Sequence, residues 1–198
     1  MGKRGRKSSY INTLTTKDRR MLAAFRAVGY IKQSDLKDEL DQSDNRIRNF
    51  CRDDYLDKCS YLNVHTHETF AVYRLTSAGR KFCEKQLGMS NFYRSSSAEH
   101  DLSVSERYFA LSLPERDTWQ TEADLRNELL NRDPDRYDEL QQAITDHKIS
   151  SLDGSYVSEE TGEVVGVEVI TRGYDAADIE AKVEFAKVLD INFEQIKG

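Results

Sequence analysis

The sequence of 198 residues is short of proline, cysteine and long apolar runs, and each shortage excludes a class of protein. Two prolines and ten glycines exclude a collagen-like chain. Its three cysteines, Cys51, Cys59 and Cys83, show no C-x-x-C spacing, so we expect no disulfide framework and a reduced, cytoplasmic setting. No apolar run approaches the roughly 18 residues of a membrane span, and none follows the basic N-terminus as a secretory signal requires.

The charge is divided unequally along the chain. Residues 1–95 hold 19 Lys and Arg against 11 Asp and Glu, whereas residues 96–198 hold 10 against 24, so the balances are +8 and −14. Such asymmetry indicates that only the first half meets a polyanion. The alternative is that two solvated surfaces of opposite sign attract each other. The 8 Phe, 10 Tyr and 1 Trp are too many for a disordered acidic chain.

The first half combines helical spacing with a pair of strand-like segments. Its predicted elements are a helix between the capping pair Thr15/Asp18 and Gly29, a short helix with Leu36 and Leu40, a helix over about 44–54 capped by Ser43, strands Cys59–His65 and Thr69–Leu75, and a helix from Thr76 to Leu87. We therefore predict a flexible basic arm over 1–8, a domain over 9–88 and a linker over 89–100.

The second half, residues 101–198, is predicted to be a small acidic α/β domain. Its expected elements are a helix over Leu102–Leu113 that Pro114 ends, helices over 122–130 and 136–147, a strand from Ile149 through Tyr156 and Val157, a strand over Val164–Ile170 and a helix over Ala176–Leu189, with no further strand. The chain as a whole is thus expected to be α+β.

The helix over 44–54 is the most informative segment. Asn45, Arg48, Asn49 and Arg52 fall at i, i+3, i+4 and i+7 and share one face, whereas Ile47, Phe50 and Cys51 lie opposite. Arg and Asn are the side chains that pair bidentately with guanine and adenine edges in the major groove. A face of this kind after a short helix and a tight turn predicts a DNA recognition helix. The alternative is an ordinary amphipathic helix with a solvated polar face.

A set of basic and polar side chains forms the predicted DNA interface. These residues are Lys3, Arg4, Arg6, Lys7, Ser43, Asn45, Arg46, Arg48, Asn49, Arg52, His65 and His67. Metal binding by Cys59, His65 and His67 is not expected, because C-x5-H-x-H fits no common zinc site.

The first half resembles the winged helix-turn-helix domains of bacterial DNA-binding proteins over about residues 14–88. The hairpin exit Tyr73-Arg74-Leu75-Thr76-Ser77-Ala78-Gly79-Arg80 is similar to one common in that family. The resemblance implies a recognition helix in the major groove, a wing on the adjacent backbone or minor groove, and further phosphate or minor-groove contacts from the arm.

The second half carries acidic residues in a spacing that phosphodiester cleavage would use. Asp153 and Glu168 lie on predicted neighbouring strands, and Glu128, or alternatively Glu122, lies on a preceding helix. Convergent carboxylates suit Mg²⁺, which takes oxygen ligands. This arrangement resembles a reduced restriction-endonuclease-like fold, and the whole chain is similar to the replication-relaxation proteins of plasmids and conjugative elements.

One departure from that resemblance argues against catalysis. Ile170 stands where the superfamily keeps the Lys of Glu-x-Lys, although Lys182 or Lys187 on the following helix could replace it. We therefore expect a nuclease-like domain without enzymatic activity and without a cofactor. The alternative is a Mg²⁺-dependent nuclease, for which the catalytic set is Glu128, Asp153, Glu168 and Lys182, with Asp153 and Glu168 as metal ligands.

The expected function is sequence-preferring binding of double-stranded DNA. The resemblance implies an accessory factor of a relaxosome or of replication, or a regulator, in a plasmid or mobile element. Besides DNA, the charge split favours a relaxase, a replication protein or a second copy of the chain as a partner, and the lack of long apolar runs predicts no membrane partner.

Overall fold

Residues 9–63, 66–94 and 97–197 are described by the computed structural model. Their helices and strands divide into two units, each with its own sheet, so the predicted α+β class is confirmed. Of the described residues, 9–23 and Ile31–Met89 make up the first unit, and Ala24–Tyr30 together with residues 90–197 make up the second. Within the described ranges, no helix is long and apolar enough to cross a membrane.

Among the described residues of the first unit, three helices precede a hairpin and one follows it. Its elements are α1 (Thr16–Val28, which ends in the second unit), β1 (Ile31–Lys32), α2 (Gln33–Asp38), α3 (Asp44–Arg52), β2 (Leu56–Leu62), β3 (Thr69–Leu75) and α4 (Ser77–Leu87). The strands form an antiparallel sheet in the order β1-β3-β2.

The ends of these helices lie where the capping residues predict them. Thr15 and Asp18 exchange hydrogen bonds, with Thr15 N donating to Asp18 Oδ2 (2.7 Å) and Asp18 N donating to Thr15 Oγ1 (3.2 Å). The hydroxyls of Ser43 and Thr76 each accept the backbone N–H three residues further on. Gly88 ends α4 in the left-handed region at φ 65°, which glycine adopts without steric cost.

The hairpin differs from its predicted bounds at the first strand. β2 begins at Leu56 rather than Cys59, because Tyr55 N donates to Phe50 O and the chain turns into the sheet directly after α3. Its register then runs from Leu56 opposite Leu75 to Leu62 opposite Thr69. The two-residue strand β1 was not predicted, since two residues are too few to show a period.

A buried ion pair connects α3 to the start of α1. Asp18 is 1% exposed, and its carboxylate accepts hydrogen bonds from Arg46 Nε (2.9 Å) and Nη2 (2.7 Å). Burial raises the pKa of Asp18, but the hydrogen bonds from Arg46 and Thr15 outweigh it and hold this pKa below its ordinary value. Arg46 also donates to the carbonyl of Thr13 (2.7 Å). The pair therefore fixes which side of α3 faces the interior of the unit.

The second unit surrounds a mixed four-stranded sheet. Its elements are α5 (Ala98–Ala110), α6 (Leu113–Asp117), β4 (Gln120–Thr121), α7 (Glu122–Arg132), α8 (Tyr137–Thr145) after a 3₁₀ turn at Pro134–Arg136, β5 (Gly154–Val157), β6 (Val164–Ile170), α9 (Ala176–Leu189) and β7 (Asn192–Lys197). The strand order is β4-β5-β6-β7, antiparallel except for the parallel pair β6/β7. Leu125, Leu129, Leu152 and Phe185 lie in its apolar core.

Three expectations for the second unit were wrong. A further strand, β7, does follow α9 and pairs with β6 from Val165/Asn192 to Ile170/Lys197; it was missed because an edge strand keeps polar residues and shows little apolar alternation. Pro114 ends no helix: α5 ends at Ala110, and Pro114 occupies the first turn of α6, where no backbone N–H is needed.

The strand expected from Ile149 begins instead at Gly154. Ile149 and Leu152 are buried at 8% and 0% exposure, so their apolar character reflects packing rather than sheet pairing. Ser150 N donates to Ala181 O, which ties this segment to α9.

The Asp18–Arg46 pair yields a stability prediction. We expect Arg46→Ala to lower the free energy of unfolding by about 3 kcal/mol, because it leaves the buried carboxylate of Asp18 without its cation. The matched control is Arg48→Ala, an exposed arginine on the same helix, which should change stability by less than about 0.5 kcal/mol. Urea unfolding of both variants measures the difference, and equal stabilities would contradict the structural role of the pair.

Candidate functional site

The outer face of α3 presents the side chains predicted for DNA contact. Asn45, Arg48 and Arg52 are exposed and Asn49 is half-buried. On the opposite side Ile47 and Phe50 are buried at 2% and 0% exposure. The helix therefore has an apolar back and an outward face of amide and guanidinium groups.

The acidic residues at the two ends of α3 are engaged within the unit. Asp44 accepts hydrogen bonds from Gln33 Nε2 (3.0 Å) and lies 3.0 Å from Lys37 Nζ. The hydrogen bond from Lys37 holds the pKa of Asp44 below its ordinary value. Asp53, directly after the helix, accepts from Ser9 Oγ (2.7 Å) and from the backbone N–H of Ile11 (2.7 Å). These two carboxylates therefore have partners within the unit, and at Asp44 one of the partners, Lys37, is a cation.

Two predicted contact residues have structural partners instead. Arg46 points to Asp18, as described above, and its guanidinium is occupied by that carboxylate and by the carbonyl of Thr13. Ser43 caps the helix by accepting the backbone N–H of Arg46 (3.2 Å). These contacts position α3, and they leave Asn45, Arg48, Asn49 and Arg52 as the outward set.

Only part of the remaining predicted interface can be described. His67 is exposed at the tip of the hairpin, with φ 57° and its N–H donating to Asn63 O (2.8 Å). His65 and the arm residues Lys3, Arg4, Arg6 and Lys7 lie outside the described residues. Where the described chain begins, Tyr10 lies with its ring centroid 5.3 Å from the guanidinium of Arg52, beside the C-terminal end of α3.

In the second unit, three of the four residues predicted for the nuclease alternative meet in one buried cluster. Asp153 precedes β5, Glu168 lies in β6 and Lys182 lies in α9, and they are 9%, 0% and 9% exposed. Lys182 Nζ lies 2.8 Å from Glu168 Oε1 and donates to Ser151 O (2.5 Å). Asp153 N donates to Glu168 Oε2 (3.0 Å). These three side chains therefore converge although they lie on separate elements.

Two other predicted or alternative residues are not brought into this cluster. Glu128 lies on the surface of α7, where its carboxylate accepts a hydrogen bond from Gln120 Nε2 (3.1 Å). Lys187, the alternative to Lys182, is exposed and pairs with Glu184 (3.3 Å). The geometry therefore selects Lys182 of the two lysines, because it is the one that α9 directs into the core.

The cluster also contains side chains that the sequence analysis did not assign. His100 Nε2 lies 3.2 Å from Asp153 Oδ2, and the hydroxyl of Tyr93 lies 3.1 Å from His100 Nδ1. The hydroxyl of Tyr174 donates to Glu168 Oε1 (2.6 Å). Tyr93 lies in the segment predicted as a linker, yet it is 2% exposed. No helical or strand period signals it, because Tyr93 lies outside any helix or strand and the partners of its hydroxyl, His100 and Asp153, lie in other segments of the unit.

Burial dominates the electrostatics of this cluster. It raises the pKa of Glu168 to about 7, aided by the charge of Asp153 and opposed by Lys182 and Tyr174. Burial lowers the pKa of His100, but the hydrogen bond and charge of Asp153 outweigh it, so this pKa is raised. Burial also strongly raises the pKa of Tyr93 and Tyr174, which keeps both phenols neutral as hydrogen-bond donors.

Comparisons of the chain with family models, with curated proteins and with solved structures found no match. The winged-helix and replication-relaxation resemblances are therefore not tested by any relative and stay predictions. The function of the outer face of α3 and of the buried cluster is therefore inferred from the side chains that form them.

Internal donors already lie against the carboxylate oxygens of the cluster. Glu168 Oε1 receives Lys182 and Tyr174, Glu168 Oε2 receives Asp153 N, and Asp153 Oδ2 receives the N–H of Val169 (2.9 Å) and faces His100. Among the residues that can be described, no group of three or more His, Cys, Asp or Glu could hold a metal ion. As arranged here, the carboxylate oxygens do not fit Mg²⁺ as ligands, because protein cations and N–H groups already lie against them.

The buried Glu168–Lys182 pair yields a prediction about pH. We expect Lys182→Met to destabilise the protein by about 3 kcal/mol at pH 8 and by much less at pH 5. The folded pKa of Glu168 is raised above its unfolded value, so the folded state binds the extra proton and gains stability as pH falls below about 7. A protonated Glu168 needs no cation, which removes most of the cost in acid.

Thermal or urea unfolding at the two pH values measures this effect. Lys187→Met is the matched control, since it removes an exposed lysine of the same helix and should be neutral at both pH values. Adding Glu168→Gln to Lys182→Met should restore stability at pH 8. A loss for Lys182→Met that is the same at both pH values would refute this account of the cluster.

Proposed function

We propose that this protein binds double-stranded DNA with sequence preference, through the outer face of α3. The observation that carries the proposal is that this face exposes Asn45, Arg48 and Arg52, while the flanking carboxylates of Asp44 and Asp53 are engaged by other groups. Arg and Asn read base edges by paired hydrogen bonds, and an uncompensated carboxylate beside them would repel the phosphates.

The order of elements in the first unit supports this proposal. α2 and α3 are joined by a short turn, and the antiparallel hairpin β2/β3 follows, as the winged-helix resemblance implies. In that arrangement α3 enters the major groove and the hairpin tip with His67 meets the adjacent backbone. The arm would approach from Ser9, which Asp53 holds at the C-terminal end of α3. Covalent geometry allows Lys3 to lie at most about 20 Å from Ser9.

The biological role we propose follows from the resemblance stated above. It is an accessory role at an origin of transfer or replication of a plasmid or mobile element, or a regulatory role there. A relaxase, a replication protein or a second copy of this chain would be the protein partner. The charge balance of +8 for residues 1–95 and −14 for 96–198 supports a division between a half that meets DNA and a half that meets a basic partner.

The recognition-helix assignment is tested by substitutions on α3. We expect Arg48→Ala and Arg52→Ala each to weaken binding to the preferred duplex by about 1–3 kcal/mol and to relax sequence preference, because each removes a base-edge contact. The preferred duplex is first selected from random sequences, and affinity is measured by fluorescence anisotropy at fixed salt. Arg172→Ala, which removes an exposed arginine of the second unit, is the control. Unchanged affinity in both α3 variants would remove the assignment.

A second candidate function is metal-dependent cleavage of DNA, and one observation favours it. Asp153, Glu168 and a lysine converge although they lie on separate elements, which is the set that the restriction-endonuclease-like resemblance requires, with Lys182 in place of the missing strand lysine. Their burial and saturation oppose it, since substrate and metal would both have to displace internal partners.

Incubation of supercoiled plasmid with the protein and Mg²⁺ or Mn²⁺ tests this second candidate. If the candidate is correct, nicked or linear product accumulates and is lost in Asp153→Ala and Glu168→Ala, while Glu128→Ala retains activity because Glu128 lies outside the cluster. Absence of nicking after long incubation, in a preparation that binds its preferred duplex, would eliminate the candidate and leave DNA binding in place.

A further inference from the structure

A cleft in the second unit shares no lining residue with either site described above. It has a volume of about 380 Å³ and is formed by Asn91, Phe92 and Arg94 together with the first turns of α7. This volume is in the range of about 300–1,000 Å³ that is typical of small-ligand pockets. Arg94 lines one wall, and Glu122, Ala123 and Arg126 line the other. None of the buried-cluster residues lines it.

The two arginines of this cleft differ from most others in the unit. Within the described ranges, neither Arg94 nor Arg126 has an ion-pair partner, although residues 96–198 hold 24 acidic side chains. Five other arginines of the unit are held by carboxylates or backbone carbonyls: Arg26, Arg107, Arg116, Arg132 and Arg136. Two guanidinium groups that line the same cleft without a counter-charge favour an anion there.

The nearest helix start adds to this preference. α7 begins at Glu122, and its first turn carries the positive end of the helix dipole. The N-cap Thr121 accepts the N–H of Asp124 (3.3 Å), so the first-turn donors considered for an anion are the N–H groups of Glu122 and Ala123. Asp124 in the same turn does not oppose an anion, because its carboxylate already accepts from Arg26, Asn91 and Thr121. Among the described residues that line the cleft, Glu122 is the one carboxylate, and it weakens anion binding without cancelling two arginines.

We propose that this cleft binds a phosphate group through Arg94, Arg126 and the N-terminal turn of α7. Planar guanidinium groups donate two parallel hydrogen bonds to phosphate oxygens, and helix N-termini bind the same group with backbone N–H donors. Two sources share this chemistry: a free phosphate compound and a phosphodiester of the DNA backbone. The proposal does not depend on α3, so it goes beyond the function proposed above.

The first test uses inorganic phosphate as the probe and the full chain. Binding is followed by isothermal titration at constant ionic strength, with chloride as the balancing anion. We expect saturable binding to the wild type and a loss of about tenfold or more in Arg94→Gln/Arg126→Gln, because charge-assisted hydrogen bonds are removed. Glu122→Gln should bind more tightly. Arg172→Gln, an exposed arginine outside the cleft, should bind as the wild type does.

The second arm distinguishes the two sources with the preferred duplex. A lower duplex affinity in Arg94→Gln/Arg126→Gln assigns the site to the DNA backbone, whereas unchanged duplex affinity with lost phosphate binding assigns it to a free phosphate compound; either result supports the proposal. Equal phosphate binding by the wild type and the double variant, with unfolding midpoints unchanged, would overturn it. The α3 proposal is tested by the duplex affinity of Arg48→Ala, a substitution outside the cleft. The two proposals can therefore fail independently of each other.

Discussion

A buried carboxylate must be paired with a cation or with several N–H and O–H donors. Each unit of this protein contains a buried carboxylate that is paired with a cation, and the neighbouring elements are positioned around it. In the first unit Asp18 is held by Arg46, and in the second Glu168 is held by Lys182. Leaving either carboxylate unpaired would cost a large part of the stability of a small unit. The elements that supply the partners, α3 and α9, are therefore constrained in rotation as well as in position.

For α3, this pairing sets the orientation of the face that we propose for DNA binding. Because Arg46 is turned inward to Asp18, the residues that follow it at helical spacing are turned to fixed sides: Ile47 and Phe50 into the unit, Arg48 and Arg52 out of it. A DNA-reading helix needs this orientation before it meets its target, since ordering it on binding would reduce affinity. An ion pair inside the unit thus orients the face that we propose for DNA binding, and the carboxylates of Asp44 and Asp53 beside that face have partners within the unit.

In the second unit, the same requirement leaves the clustered carboxylates bound to internal partners rather than open to a metal ion. Asp153, Glu168 and Lys182 converge, but His100, Tyr93, Tyr174 and backbone N–H groups already lie against the carboxylate oxygens. A cluster whose donors and acceptors satisfy one another stabilises the junction of β5, β6 and α9. A set of carboxylates that holds a metal would instead keep lone pairs directed at open space. The residue types are the same in both cases, and their partners make the difference.

Local signals in the sequence determined most helix ends, the hairpin and the outward face of α3, because capping, alternation and helical spacing act within a few residues. Thr15 with Asp18, Ser43 and the face from Asn45 to Arg52 are of this kind. Tertiary structure alone decided that β7 pairs with β6, that Arg46 belongs to Asp18, that Lys182 rather than Lys187 joins Glu168, and that Tyr93 is buried. Those outcomes depend on partners that lie outside the helix or strand of each residue. The identity of these partners is set by packing and by the demand of buried charge for a counter-charge. No pattern within a short window of sequence contains that information.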